Sequence, residues 1–80
     1  MDNYFNFGSL NYLIVEADKV DDILYVMRDR DEFGLAFLKI IVKPNYDIDA
    51  ILEFIREHVA LSTTYEIIVE ENYELLEKEN

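Results

Sequence analysis

The sequence predicts an α+β domain, a three- or four-stranded, mostly antiparallel sheet with one main helix packed on one face. Three observations lead there. A single apolar stripe at helical spacing runs through residues 47–60, short runs rich in β-branched and aromatic side chains lie on either side of it, and polar turn residues separate the runs. Eighty residues, 1–80, allow one such folding unit, because domains usually span about 50–200 residues.

Each element follows from its residues. Leu10 to Glu16, Leu-Asn-Tyr-Leu-Ile-Val-Glu, carries the side chains that favour a pleated surface and predicts a strand over about 10–16. The stretch Asp18 to Asp29 supports two readings. Val20, Ile23, Leu24 and Met27 follow helical spacing, while Ile23, Tyr25 and Met27 fit a strand's alternation. The strand reading, over about 23–28, is preferred because Asp29 to Gly34 then forms a polar turn into a second apolar run at 35–43, giving a hairpin. Pro44-Asn45-Tyr46 ends that strand, since proline cannot donate to a ladder.

The helix over about 47–60 rests on Ile48, Ile51, Leu52, Ile55 and Val59, which form one stripe, with Asp47 placed to cap the first turn. Asp47 and Asp49 suit the positive end of the helix dipole, and Glu53 can pair with Arg56 one turn on. After Leu61-Ser62-Thr63, a strand is expected at about 64–69, with Tyr65, Ile67 and Val69 on one face and Glu66, Ile68 and Glu70 on the other. The helix then forms a crossover between the strands at 35–43 and 64–69. A short C-terminal helix is open at 71–78. One helix leaves a sheet face carrying Leu35, Phe37 and Ile41, or their opposite set, in need of cover. Either a second copy, making a homodimer, or the N-terminal Tyr4, Phe5 and Phe7 could supply it.

Eighteen Asp and Glu against seven Lys and Arg give a net charge of −11, yet 51% of the residues are apolar and 14% aromatic, so the acidity sits on a chain that can collapse. Phosphates of nucleic acid and anionic lipid repel such a surface, which argues against direct binding to either. No basic and apolar leader opens the chain, and no apolar run approaches the roughly 18 residues a membrane span needs, so a soluble cytoplasmic protein is expected. Without cysteine there is no disulfide, thiolate metal site or cysteine nucleophile.

Sequence motifs do not supply a chemistry. Asp29-Arg30-Asp31-Glu32-Phe33-Gly34 resembles the start of a calcium loop, but Phe33 replaces the third acid and Ile40 stands where the twelfth-position glutamate belongs, so it reads as a solvated turn. His58 has no partner that sequence can name and reads as a boundary residue near the helix end. Ser9, Ser62, Thr63 and Thr64 lack a nucleophile setting, and two glycines cannot build a phosphate-cradling loop. The pairs Asp21-Asp22, Asp47 with Asp49, Glu70-Glu71 and Glu53 with Glu57 read as solvated acids. No catalytic residue, metal or cofactor is expected.

The distribution of charge is the functional hint. Glu16, Asp18, Asp21 and Asp22 surround the single base Lys19, and Glu70, Glu71, Glu74, Glu77 and Glu79 surround Lys78. On a helix, Glu70, Glu74 and Glu77 would form a row of carboxylates that resembles a duplex phosphate track. Glu16, Asp18, Asp21, Asp22, Glu70, Glu71, Tyr73, Glu74 and Glu77 are therefore the candidate partner-binding residues. Tyr73, Tyr65 or Tyr4 could serve as a buried anchor. The expected partner is a basic protein, in particular one that handles nucleic acid, inhibited by a DNA mimic of the phage or anti-CRISPR kind. The alternative is an immunity protein, antitoxin or oligomeric adaptor that binds through an apolar sheet face or an edge strand. An enzyme is disfavoured.

Overall fold

Leu38, Ile40 and Val42 alternate along one strand so that all three point to the same side, and everything else in the fold packs around that row. The computed structural model describes residues 2–72, with side chains from Leu10 onward. Its elements run α1 (Asp2–Ala17), β1 (Ile23–Arg30), β2 (Ala36–Val42), α2 (Ile48–His58) and β3 (Tyr65–Val69). The three strands form one mixed sheet with β2 in the centre. β1 pairs with it antiparallel, and β3 pairs with it parallel through the α2 crossover. The α+β class, the hairpin, the central helix and the last strand match the sequence expectation.

The first element does not. Residues 10–16 lie in α1 instead of a strand. Leu10, Leu13 and Ala17 recur at i, i+3 and i+7 and face the core, while the β-branched Ile14 and Val15 are about half exposed. Strand propensity lost to packing, because the sheet's inner face needs a second helix over β1 and Ala17 is small enough to let one approach. The helix is closed by Asp18 N–H to Ile14 O at 3.2 Å and Val20 N–H to Ala17 O at 3.0 Å.

The two readings of 18–29 resolve as strand from Ile23, with a reason for the ambiguity. The register with β2 shifts between Ile23 and Tyr25, so Leu24 is an extra residue in the ladder. Ile23 and Val26, three apart, then both face inward, which imitates helical spacing. The hairpin turn uses Asp31 as its organiser: its carboxylate accepts the N–H groups of Phe33 and Leu35, both at 2.9 Å, and Gly34 takes φ +83°, a backbone region suited to glycine. Asn45, at φ 63°, turns the chain after Pro44.

Asp47 caps α2 as expected, accepting the Asp49 N–H at 3.0 Å. Ile51 and Phe54 of α2, with Val59 at the helix end, are buried in one core cluster with Leu13 and Ala17 of α1 and Leu38, Ile40 and Val42 of β2. Each such aliphatic side chain removed from water contributes about 1.5–3 kcal/mol. Glu53 and Arg56 do not meet within salt-bridge distance. The helix expected at 71–78 lies outside the described residues, except that Glu71 and Asn72 form a turn.

Both helices cover the same side of the sheet, and among the described residues no element covers the other. Tyr25, Met27, Phe37, Lys39, Ile41, Glu66 and Ile68 share that open side by register. Tyr25 is 49% and Met27 40% exposed, whereas Ile41, in the central strand, is 5% exposed between its neighbours. The uncovered face therefore carries Phe37 and Ile41 as expected, while Leu35 lies in the hairpin connection. Tyr4, Phe5 and Phe7 fall within α1, and their side chains lie outside the described residues.

An ion pair crosses this open face, with Lys39 Nζ 2.8 Å from Asp29 Oδ2. The Lys39 hydrogen bond, then the Arg30 N–H and the Lys39 charge, hold the Asp29 carboxyl below its ordinary 3.8; Asp29 in turn raises Lys39 above 10.5. The depressed carboxyl contributes stability that is complete above its unfolded value and lost as pH falls through the folded one. Urea denaturation of Asp29→Asn is expected to show a deficit against wild type at about pH 6 that disappears by about pH 2. A deficit independent of pH would contradict the pairing.

Candidate functional site

The first acidic cluster and the start of the second, Glu70 and Glu71, about fifty residues apart along the chain, lie at one end of the sheet. That end is made by the start of β1, the ends of β2 and β3, the end of α1 and the start of α2. Backbone hydrogen bonds fix the meeting. Lys43 N–H donates to Asp22 O at 3.0 Å, extending the β1–β2 pairing, and Glu70 N–H donates to Val42 O at 2.9 Å, extending the β2–β3 pairing. Asp22 and Glu70 thus flank the residues that leave β2, each about one strand spacing, roughly 4.8 Å, to the side.

Asp22 has a second task. Its carboxylate accepts the Asp47 N–H at 2.9 Å, which holds the 43–47 connection and sets the start of α2. Asp47 and Asp49 join the acidic end in this way. Sequence reading had them only as a cap and a dipole complement, because nothing local shows that their turn folds back on Asp22. Lys43 lies within the cluster, its Nζ 3.1 Å from Asp21 Oδ2.

The remaining candidates differ in availability. Asp18 and Glu71 are exposed, and Asp21 is exposed beside Lys43. Glu70 is half-buried, and its carboxylate accepts the Asn72 N–H at 3.3 Å. Because Glu70 continues the ladder of β3, it does not start a helical row. Tyr73, Glu74 and Glu77 lie outside the described residues. Glu16 is turned to the helix side: Lys19 Nζ is 3.1 Å away and His58 Nε2 is 3.9 Å away.

His58, the last residue of α2, packs between the rings of Tyr12 and Phe54, with centroids 5.4 and 5.3 Å away. The Tyr12 hydroxyl is 2.6 Å from Nδ1. This contact pins α1 to α2, and it was invisible in the sequence because a strand at 10–16 puts Tyr12 elsewhere. The histidine's boundary position is as expected. Among the described residues, no group of three or more acids and histidines converges to hold a metal ion, and no helix is long and apolar enough to cross a membrane.

The electrostatics of the acidic end are unfavourable to folding on their own. α1 presents its partially negative end there with no basic residue in its last turn, followed by Asp18. Like charges held this close repel, and that repulsion persists in the folded chain. The chain matches no protein-family model, no curated protein and no solved structure.

The roles of two neighbouring acids separate in mutation. Asp22→Ala, which strands the Asp47 N–H, is expected to destabilise by about 1 kcal/mol or more. Asp18→Ala should stay within about 0.5 kcal/mol of wild type or stabilise slightly by relieving repulsion. Chemical denaturation of both variants checks this, and equal losses would contradict the assignment.

Proposed function

We propose that this protein is a small protein-binding inhibitor whose acidic end occupies the cationic surface of a nucleic-acid-handling protein. The observation that carries the reading is the convergence of Asp18, Asp21, Asp47, Glu70 and Glu71 from three separate segments onto one end of the sheet. A folded surface that concentrates carboxylates presents a fixed array of negative charge, as a phosphate backbone does. Such an array steers a basic partner into contact and competes with nucleic acid for it.

A second reading rests on a different observation, the open sheet face. Tyr25, Met27 and Phe37 there form an apolar surface suited to an adaptor, immunity protein or homodimer contact. Ile41, on the same face, is buried, so a charge placed there would test folding instead. Tyr25→Glu is the cleaner probe.

Affinity capture from a cell extract distinguishes the two. The acidic-end reading expects a partner retained at low salt, released as screening shortens from about 8 Å at 0.15 M salt to about 3 Å at 1 M, and displaced by added duplex DNA. Reversing Asp18, Asp21 and Glu71 to lysine should abolish capture, while Tyr25→Glu leaves it intact. Capture that survives high salt and charge reversal but is lost in Tyr25→Glu overturns the reading in favour of the sheet face.

A further inference from the structure

The opposite end of the molecule carries a cleft of about 440 Å³ whose chemistry is the reverse of the acidic end. It opens on the helix side of the sheet, beyond the core row. Leu10 and Leu13 of α1 and Leu38 of β2 give it an apolar floor, and Ser62 and Thr63, in the connection before β3, bring hydroxyls to its rim. That connection is held against β2 by Leu38 N–H to Thr64 O at 2.9 Å. Arg28 and Arg30, two apart on β1 and therefore on the same side of the sheet, complete the lining.

Arg28, Arg30 and Arg56 all lack a salt bridge among the described residues, and two of them, Arg28 and Arg30, come together in this cleft. With eighteen acids and seven bases, a base has many acids to pair with. The described lysines do so: Lys19 with Glu16, Lys39 with Asp29 and Lys43 with Asp21. Neither Arg28 nor Arg30 forms a salt bridge among the described residues. Arg30 gives one N–H to the Gly34 carbonyl at 2.7 Å and keeps its other donors. The acids nearest in sequence are directed elsewhere. Asp29 lies on the open face with Lys39, Asp31 is folded into the hairpin turn, and Glu32 is at the exposed tip of that turn. Two guanidinium groups without carboxylate partners thus share a concave, partly apolar site with hydroxyl donors.

We infer that this cleft binds a small amphiphilic anion, an apolar body seated on Leu10, Leu13 and Leu38 with a carboxylate or phosphate-ester head between Arg28 and Arg30. Guanidinium forks match the planar geometry of carboxylate and phosphate oxygens and bind them through paired charge-assisted hydrogen bonds. The apolar floor supplies the remainder of the contact, as in most small-molecule sites. This site is independent of the acidic end and survives the failure of the function proposed for it.

The test titrates isotopically labelled protein with 1-naphthyl phosphate, 1-naphthoate and neutral 1-naphthol, followed by amide chemical shifts. At least one of the two anions should produce saturable shifts at residues 28–30, 36–38 and 62–64, and which of them does so names the head group. Naphthol should bind more weakly than that anion. Arg28→Gln, at a side chain with no described structural contact, should weaken anion binding about tenfold or more, the scale of one charged hydrogen bond. Arg30→Gln should do the same, and Arg56→Gln, on α2 outside the cleft lining, should bind as wild type. The inference is overturned if neither anion gives saturable shifts at these residues, if naphthol binds as tightly as the anions, or if both arginine variants bind as wild type.

Discussion

Asp22 is the joint on which this small structure turns. Its carbonyl receives the Lys43 N–H and its carboxylate receives the Asp47 N–H, so one residue ties the start of β1 to the exit of β2 and to the cap of α2. An acid that sequence reading assigned to a partner surface is therefore also a structural acceptor within the chain. The consequence is geometric. Once those three points are fixed, the acids that follow α1, precede α2 and follow β3 have only one end of the sheet to occupy.

The fold separates its chemistry along the strands and across the sheet. β2 spans roughly 23 Å at about 3.3 Å per residue, and that length divides a carboxylate-rich end from an end holding two arginines that form no salt bridge among the described residues. Across the sheet, Leu38, Ile40 and Val42 meet the helices, while Phe37, Lys39 and Ile41 lie on the opposite face, where Phe37 and Lys39 are partly exposed and Ile41 is buried between its neighbours. The core thus uses only half of the central strand's side chains. Among the described residues, the helices pack on one side of the sheet only, with crowded negative charge near the C-terminus of α1.

Much of this was legible in the amino acids, and the failures have physical causes. The α2 stripe and its Asp47 cap are local features, so periodicity found them. The hairpin was legible because Asp31 and Gly34 are turn residues with a mechanism. α1 was missed because Ile14 and Val15, which favour strands, point outward where packing does not select them, and because Leu10, Leu13 and Ala17 gain their meaning only from a sheet they must cover. The bulge at Leu24 disguised β1 by moving its inward residues three apart. For the candidate site, composition marked the acidic clusters but not that Asp22, Asp47 and Glu70 share one end, which depends on hydrogen bonds between residues more than twenty positions apart. The Arg28 and Arg30 pair gave no signal in a chain so acidic, since its distinction is that strand alternation brings both side chains to one cleft.

Acids far apart in sequence share one end of the sheet, and a spin label placed there reads this arrangement. With a nitroxide attached through Glu71→Cys, the account predicts strong paramagnetic broadening of amides at residues 20–23 and 43–47, roughly two strand spacings or less away, and little at the hairpin turn 31–35 at the far end. Broadening at 31–35 with none at 20–23 and 43–47 would contradict it.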